Sequence, residues 1–342
     1  MHITTLVADP RTLFSHVALH GLGAILESQG VPDVRLGWTR SGNPRPFIAT
    51  DDLNDVDVAT LVKRHAEAHA TNSWVQRDMT LKGAARGLMS PRLTPFGDDA
   101  TWAMVQRERH AVLDKLTSDC QWLDLRFVAA LGEPCYWSFN RQGALLQDDG
   151  ASRLEMQPRN QGSEFVGSRL RKLAPKVANR EPDTIAAGLR GESVIDEIGN
   201  DKPDSRTPTG LATPGPADNA LAWCALWGIS QYPIGMRINE TADTSGHLSR
   251  ERQEWFYAPI WRGLWRPARL RTILASRYLR LMAADGLPSK GPGETDVTPG
   301  RAWLGSRGVE GVVRFPIHRF GSDSAPERRA MRGELIPVSA PP

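Results

Sequence analysis

The chain has 342 residues, of which 40% are hydrophobic, so it is long enough for two domains or one large one. Its net charge of +3 is too small to indicate a nucleic-acid-binding protein by itself, and three widely spaced cysteines argue against a disulfide framework or a cysteine zinc site. The sequence has no apolar run of about 18 residues and no secretory signal pattern at its start. We therefore expect a cytoplasmic protein that does not enter a membrane.

The first 70 residues alternate between strand and helix patterns. In chain order we predict a strand at 3–7, a helix from Pro10 to Gly30, two hairpin strands at 34–38 and 46–49, and a helix at about 55–70. Asp9 offers an N-cap to the first helix, and Gly30 is a typical C-terminal stop. This order of elements indicates an N-terminal α/β sandwich with short strands.

The rest of the chain gives a more varied pattern. We predict an irregular segment at 74–100, a helix at 101–117, a strand at 122–127, a polar loop at 146–164, a basic helix at 163–177 and an acidic loop or linker at 191–218. After these we predict an apolar helix or buried segment at 219–229, one helix from Pro267 through Leu281, a strand at 309–320 and a frayed tail after 335. The expected fold class is α+β. The expected domains are an N-terminal α/β domain at 1–145, a basic helix with an acidic Pro/Gly-rich loop or linker at 146–218, and a basic, Trp-rich, mostly helical domain with a few strands at 219–335.

Aromatic and arginine side chains are interleaved between Trp255 and Pro267. From Trp261 to Arg280 the sequence has six arginines and no carboxylate. Arginines neutralise phosphates, and rings or guanidinium planes stack on bases. An ordinary amphipathic helix with a basic solvent face is the other interpretation, although such a face usually mixes both signs. We predict phosphate contacts from Arg262, Arg266, Arg269, Arg277 and Arg280.

Charge is unevenly distributed along the chain. Residues 151–180 have seven basic against two acidic residues, and residues 251–320 have twelve against six. Between them, residues 181–210 have three basic against seven acidic residues. Two basic blocks separated by an acidic stretch favour a molecule with a positive surface.

Further residues could contact nucleic acid in these and other basic segments. Arg169, Lys172 and Lys176 fall on one helical face as a ladder for phosphates. Amide and basic side chains that could read bases or a short duplex motif are Asn160, Gln161, Lys82 and Arg86. A C-terminal basic group consists of Arg307, Arg314 and Arg319.

No pattern of residues predicts catalysis, a metal site or a cofactor. His16 and His20 have metal-ligand spacing on a helix, but the glutamate and the third ligand of a zinc site are missing. His65 and His69 repeat that spacing with the same outcome. A phosphate-binding P-loop, a serine nucleophile elbow and a nuclease carboxylate cluster are also missing.

Asp9-Pro10 leads into a predicted helix with Phe14 and Gly21-Leu22. Further along, the apolar segment 219–228 is followed by Tyr257-Ala258-Pro259-Ile260-Trp261, and the pattern 303–309 is followed by Val312-Val313-Arg314-Phe315. These three segments resemble CRISPR-associated proteins of the type I-U (also called I-G) systems, in particular their large-subunit-like component.

This resemblance implies a non-catalytic subunit of an RNA-guided surveillance complex, called Cascade. The implied partners are CRISPR RNA, target DNA, the other subunits of the complex and a helicase-nuclease. In such complexes guide–target pairing reads the sequence, while the protein grips the backbone and can read a short duplex motif beside the target.

Two other functions remain open at the level of sequence. One is a nuclease that processes CRISPR or other RNA with His16, His20, His247 or His318 as its base. The other is a structural adaptor that binds proteins through a Trp-rich surface.

Overall fold

The computed structural model describes residues 1–81, 83–93, 98–135, 137, 139, 142–143, 147–156, 165–237, 240–251, 253–287, 296–322 and 325–338. Its helices are α1 (Leu13–Ser28), α2 (Asp55–Ala70), α3 (Asp99–Ser118), α4 (Trp122–Leu131), α5 (Arg171–Ala178), α6 (Pro182–Arg190), α7 (Asn219–Gly228), α8 (Pro267–Leu274), α9 (Arg277–Ala283) and α10 (Thr298–Gly305). Its strands are β1 (His2–Thr5), β2 (Arg35–Trp38), β3 (Pro46–Thr50), β4 (Asp78–Leu81), β5 (Ala84–Gly87), β6 (Ile234–Gly235), β7 (Asp243–Thr244), β8 (His247–Arg250), β9 (Gln253–Trp261), β10 (Val309–Ser322), β11 (Ala325–Ala330) and β12 (Glu334–Pro337). All strand pairings among these are antiparallel, and the class is α+β as predicted.

The N-terminal elements follow the predicted order. Strand β3 lies between β1 and β2, so the predicted hairpin pairs as expected and the first strand joins its other edge. Helix α1 begins at Leu13 rather than Pro10, because the Asp9 carboxylate accepts the backbone N–H of Arg11 and holds a separate turn. Helix α2 has the predicted bounds, fixed by a capping box between Asn54 and Asp57.

Helices α1 and α7 cross at very short distance in the core. A Cβ atom on Gly21 would lie 1.8 Å from the Cys224 carbonyl oxygen, and one on Gly228 would lie 2.0 Å from the Val17 carbonyl oxygen. Only glycine allows the two backbones to approach this closely. All ten residues of α7 are buried, which explains why its sequence is apolar on every side.

The prediction of a strand at 122–127 was wrong. These residues begin α4, whose buried side chains include Leu123, Phe127 and Leu131. Those three positions are four residues apart, which is a helical period that the shorter strand pattern concealed. The predicted irregular segment at 74–100 also contains the hairpin β4–β5.

Residues 191–218 form a long loop without helix or strand, as predicted, but the loop is packed rather than an exposed linker. Asp196 is fully buried, and its carboxylate accepts hydrogen bonds from Ser205, Thr207 and the Asn219 amide. Because these polar groups satisfy one another, a Pro/Gly-rich acidic segment can be buried without regular structure.

The C-terminal part contains more strand than the predicted mostly helical region. Strands β11, β10, β9 and β8 form one sheet in that order, and β12 also pairs with β10. The predicted strand at 309–320 is confirmed as β10. The chain was expected to fray after 335, but β12 pairs with β10 as far as Pro337. The aromatic segment before Trp261 is β9, which fits the strand preference of Trp, Phe and Tyr.

Two predicted helices differ in detail from the structure. The basic helix begins with a π-helical turn at Val166–Leu170 and continues as α5. The predicted helix after Trp265 is two helices, α8 and α9, because the Ser276 hydroxyl caps α9 by accepting the N–H groups of Tyr278 and Leu279.

One hydrophobic cluster contains buried residues from all three predicted domains. The domain boundaries at 145 and 218 therefore stay predictions. Among the helices of the described ranges, none combines the length and the apolarity that crossing a membrane requires.

Candidate nucleic-acid interface

The aromatic rings of β9 and the turn after it lie in the core. Trp255, Phe256, Tyr257, Trp261 and Trp265 are each at most 7% exposed. Trp261 and Trp265 stack on each other with ring centroids 4.6 Å apart. These buried rings cannot stack on bases. The prediction that the aromatic side chains of this segment contact nucleic acid was therefore wrong.

Tertiary structure supplies carboxylates to four of the six arginines in 261–280. The pairs are Arg262 with Glu310 at 2.8 Å, Arg266 with Asp33 at 2.5 Å, Arg271 with Glu27 at 3.0 Å and Arg280 with Asp243 at 3.0 Å. Acids that are missing from the local sequence are thus brought in from elsewhere in the chain. The charges of Arg262 and Arg280 are thus offset, whereas Arg266 shares the Asp33 carboxylate with Arg35.

Arg314 of the C-terminal basic group is structural. Its side chain is 9% exposed, pairs with Glu334 and donates to the carbonyl oxygens of Ala283 and Asp285. Its position on β10 tethers the end of α9 to the sheet, so Arg314 does not lie on an open surface.

The other predicted contacts are dispersed. Lys172 is exposed on α5, Lys176 pairs with Glu197 at 3.5 Å, and Arg169 is half-buried and donates to the Ser168 carbonyl oxygen. Arg86 is half-buried on β5, and Arg319 is exposed on β10. Lys82, Asn160 and Gln161 lie outside the described residues.

Three arginines of the basic segments each lie over an aromatic ring. We call this group the stacked arginine surface, and it consists of Arg269, Arg277, Tyr278, Trp303 and Arg307, with the buried Trp265 ring beneath Arg269. The guanidinium carbon of Arg277 lies 4.9 Å from the Tyr278 ring centroid, and Tyr278 and Trp303 stack with centroids 5.0 Å apart. Arg307 lies 3.8 Å above the Trp303 ring.

The stack continues from Arg307 to α8. The Arg269 guanidinium donates to the Arg307 carbonyl oxygen at 2.5 Å and lies 4.7 Å from the Trp265 ring centroid. Within the described chain, Arg269, Arg277 and Arg307 make no ion pair with a carboxylate. Each of the three guanidinium groups therefore lies over an aromatic ring instead of facing an acid.

Helix packing positions this surface. Gly300 lets α10 approach α9, since a Cβ there would be 3.3 Å from the Tyr278 carbonyl oxygen. That approach brings Trp303 onto Tyr278. Gly308 has a φ of +78°, and this left-handed residue ends the turn that carries Arg307.

Helical periodicity does not predict the ring contacts of Arg269 and Arg307. Trp265 precedes Arg269 by four residues, and Trp303 precedes Arg307 by four residues, but Trp265 lies before α8 and Arg307 lies after α10, so neither pair is within one helix. The Tyr278–Trp303 stack could not be read from the sequence, because it joins two helices.

The candidate catalytic histidines differ in accessibility. His16 and His20 are fully buried, which lowers the pKa of His16 to about 4 and that of His20 well below its usual value. His16 bonds the Pro10 carbonyl oxygen at 2.7 Å, and burial lowers the pKa of His247 to about 3. His318 is exposed and stacks on Phe320. Three of the four candidate bases are therefore inside the protein.

The part of the chain that the structure describes contains no group of three or more His, Cys, Asp or Glu side chains that could hold a metal ion. His65 and His69, the second pair with metal-ligand spacing, have protein partners. His69 bonds the Asp124 carboxylate at 2.8 Å, and His65 accepts the indole N–H of Trp223.

Most tryptophans are in the core, which bears on the adaptor hypothesis. Seven of the eleven are buried: Trp38, Trp74, Trp223, Trp227, Trp255, Trp261 and Trp265. Trp122, at 59%, is the most exposed tryptophan in the described ranges. In the described ranges the tryptophans therefore do not form a broad exposed surface for docking proteins.

No protein-family model matches the chain, and no curated protein matches it. Two motif residues of the resemblance, Gly21 and Gly228, have a packing role at the crossing of α1 and α7. The functional interpretation rests on the stacked arginine surface and on the motif resemblance together.

Proposed function

We propose that this protein binds the phosphate backbone of nucleic acid through the stacked arginine surface, as a non-catalytic subunit of a type I CRISPR surveillance complex. The observation that carries the binding proposal is the group formed by Arg269, Arg277 and Arg307, which has no carboxylate partner in the described chain. A protein that needed only solubility would mix acids into such a group.

The rings of the surface prepare the arginines for phosphate. A guanidinium that rests on a ring keeps its N–H donors at the edge and loses less side-chain freedom on binding. Tyr278 and Trp303 already contact each other and their own arginines, so their faces are largely occupied. Contacts of this kind position a backbone and do not read its sequence.

Membership of the complex rests on the resemblance of three segments to type I-U proteins. In such a complex the sequence is read by guide–target pairing, and a backbone-gripping subunit needs no active site. The proposed partners are CRISPR RNA, target DNA, the other subunits and a helicase-nuclease in the cytoplasm. We also propose that the protein contacts a short duplex motif beside the target.

The binding proposal is tested by fluorescence anisotropy with labelled single-stranded RNA, single-stranded DNA and duplex DNA. Replacing Arg269, Arg277 and Arg307 by Ala should weaken binding by about tenfold to a hundredfold, because each exposed charge-assisted contact contributes modestly. The loss should be similar for unrelated sequences.

A matched control removes three exposed cations that have acidic partners. These are Lys115 with Asp119, Arg206 with Glu327 and Arg237 with Glu240. The control variant loses the same charge and should keep near-normal affinity. Equal losses in both variants would show that net charge, and not this surface, governs binding.

A further inference from the structure

A cavity of about 770 Å³ opens where the ends of α1 and α2 meet the start of α4 and one side of α8. Its walls include Glu27, His65, Trp122, Arg126 and Arg271. The volume is within the ~300–1,000 Å³ typical of small-molecule sites. None of these residues belongs to the stacked arginine surface.

The cavity is separate from that surface although both use α8. Arg269 and Arg271 are two residues apart on the helix, so they project from different sides. Arg269 contacts Trp265, whereas Arg271 donates to Glu27 and to the side-chain oxygen of Gln231.

Two guanidinium groups in the cavity share one carboxylate. The Glu27 carboxylate lies 3.0 Å from Arg271 and 3.6 Å from Arg126. Burial lowers the pKa of Arg126, and the nearby charge of Arg271 lowers it further. One positive charge is thus left without a counterion at this wall, which favours an anionic ligand.

The other carboxylate of the cavity is already committed to the protein. Asp124 is buried and accepts hydrogen bonds from the Trp74 indole at 2.6 Å and from His69 at 2.8 Å. Both hydrogen bonds end on the same carboxylate oxygen, Oδ1, and among the described residues Asp124 makes no ion pair with Arg126 or Arg271.

Trp122 presents an uncovered ring at the cavity. Trp265 and Trp303 each carry, on their ring, the arginine four residues later. Arg126 has the same spacing from Trp122 but turns towards Glu27, and the described residues place no cation over the Trp122 ring. The ring is 59% exposed, which is unusual for the largest apolar side chain.

We propose that this cavity binds a nucleoside phosphate. The phosphate contacts Arg126 and Arg271, and the base stacks on Trp122. A free nucleotide and the phosphorylated end of a nucleic-acid chain share this chemistry. If the ligand is the end of a nucleic-acid chain, the site extends the proposed function. If the ligand is a free nucleotide, the site is independent of that function.

The test is calorimetric titration of the full chain with adenosine 5′-monophosphate, adenosine and inorganic phosphate. The monophosphate should bind about tenfold or more tightly than either part, because one molecule joins both contacts. Trp122→Ala should weaken the monophosphate about tenfold and leave phosphate unchanged. Arg126→Gln should weaken the monophosphate and phosphate and leave adenosine unchanged.

Arg237→Gln, at an exposed ion-paired arginine outside the cavity, is the matched control and should change none of these affinities. Trp122 is exposed, so its replacement keeps the fold intact. The proposal would be overturned if the monophosphate gave no heat of binding up to about 5 mM. It would also be overturned if the Trp122→Ala and Arg126→Gln variants bound the monophosphate as tightly as the unchanged protein does.

A second arm separates the two sources and keeps this proposal distinct from the first. Short single-stranded DNA with and without a 5′-phosphate competes against the monophosphate on the variant that lacks Arg269, Arg277 and Arg307. Competition by the phosphorylated strand alone identifies a chain end, and no competition identifies a free nucleotide. Binding of the monophosphate should survive in this variant, and its loss there would contradict a separate site.

Discussion

The packed loop at 191–218 and the stacked arginine surface have opposite charge, and they differ in whether their charged groups have partners in the protein. In the loop Asp196 and Asp218 are buried, and protein donors occupy their oxygens. In the surface three arginines lie together without a described acid. The local sequence predicted a loop or linker for the first segment and phosphate contacts for the second. The difference teaches that a charge is informative about function only when its partners in space are known.

The largest effect should come from removing a loop carboxylate. Asp218 accepts from Arg180 at 3.0 Å, from the N–H of Ile195 and, as the cap of α7, from the N–H of Ala220, so Asp218→Ala leaves three donors without this acceptor while Arg180 keeps its pair with Glu197. We expect a loss of about 3–5 kcal/mol in the free energy of unfolding, at roughly 1–3 kcal/mol for each buried donor left unsatisfied. Denaturant titration measures it.

Asp204→Ala is the control in the same loop, because Asp204 is exposed. It should change the stability by less than about 0.5 kcal/mol. A small loss for Asp218→Ala would mean that the loop is loosely attached after all.

The core histidines should give the next effect. The pKa of His16 is about 4 in the folded chain against 6.5 unfolded, so the unfolded state binds more protons as the pH falls. Stability should be complete above pH 6.5 and fall towards pH 4, by roughly 3 kcal/mol from His16 alone. His20 and His65, whose pKa values burial also lowers, act in the same direction.

Unfolding titrations across this pH range test the sign. His16→Gln should flatten the dependence, whereas His318→Gln, at an exposed position, should leave it unchanged. A stability that rises on acidification would contradict the buried neutral state.

The crossing of α1 and α7 should be sensitive to one methyl group. These helices also hold the loop, since the Phe14 N–H donates to the Leu211 carbonyl oxygen. Gly21→Ala places a Cβ against the Cys224 carbonyl and should cost about 1–3 kcal/mol or more. Gly42→Ala, which meets no atom within 4 Å, should be nearly neutral when both are measured by thermal unfolding.

The smallest effect on stability should come from the stacked arginine surface. Arg269→Ala, Arg277→Ala and Arg307→Ala each remove an exposed or half-buried side chain, and each should cost less than about 1 kcal/mol. Losses as large as that of Asp218→Ala would assign this surface a structural role.

The fold was predictable where periodicity and caps agree. The bounds of α2 and of β10 and the helical nature of α7 follow from local sequence. The strand predicted at 122–127 failed because a short apolar run fits both periods. One helix was predicted from Pro267 through Leu281 because the apolar stripe continues past Ser276, whose side chain caps α9 in the structure.

The candidate site was predictable only in part. Arg269 and Arg277 were recognised from the missing acids in their own segment, and Arg307 from a separate basic group. The pairing of Arg266 with Asp33 could not be foreseen, because more than two hundred residues separate them. Burial of the β9 rings has the same cause, since their neighbours come from distant elements.

The central claim is that the stacked arginine surface contacts phosphates, and the salt dependence of binding tests it most directly. Log affinity for single-stranded nucleic acid against log salt should be shallower by about 2 when Arg269, Arg277 and Arg307 are replaced by Ala, at ~0.7 per lost contact. The variant lacking Lys115, Arg206 and Arg237 should keep the wild-type slope. An unchanged slope in the first variant would contradict the account.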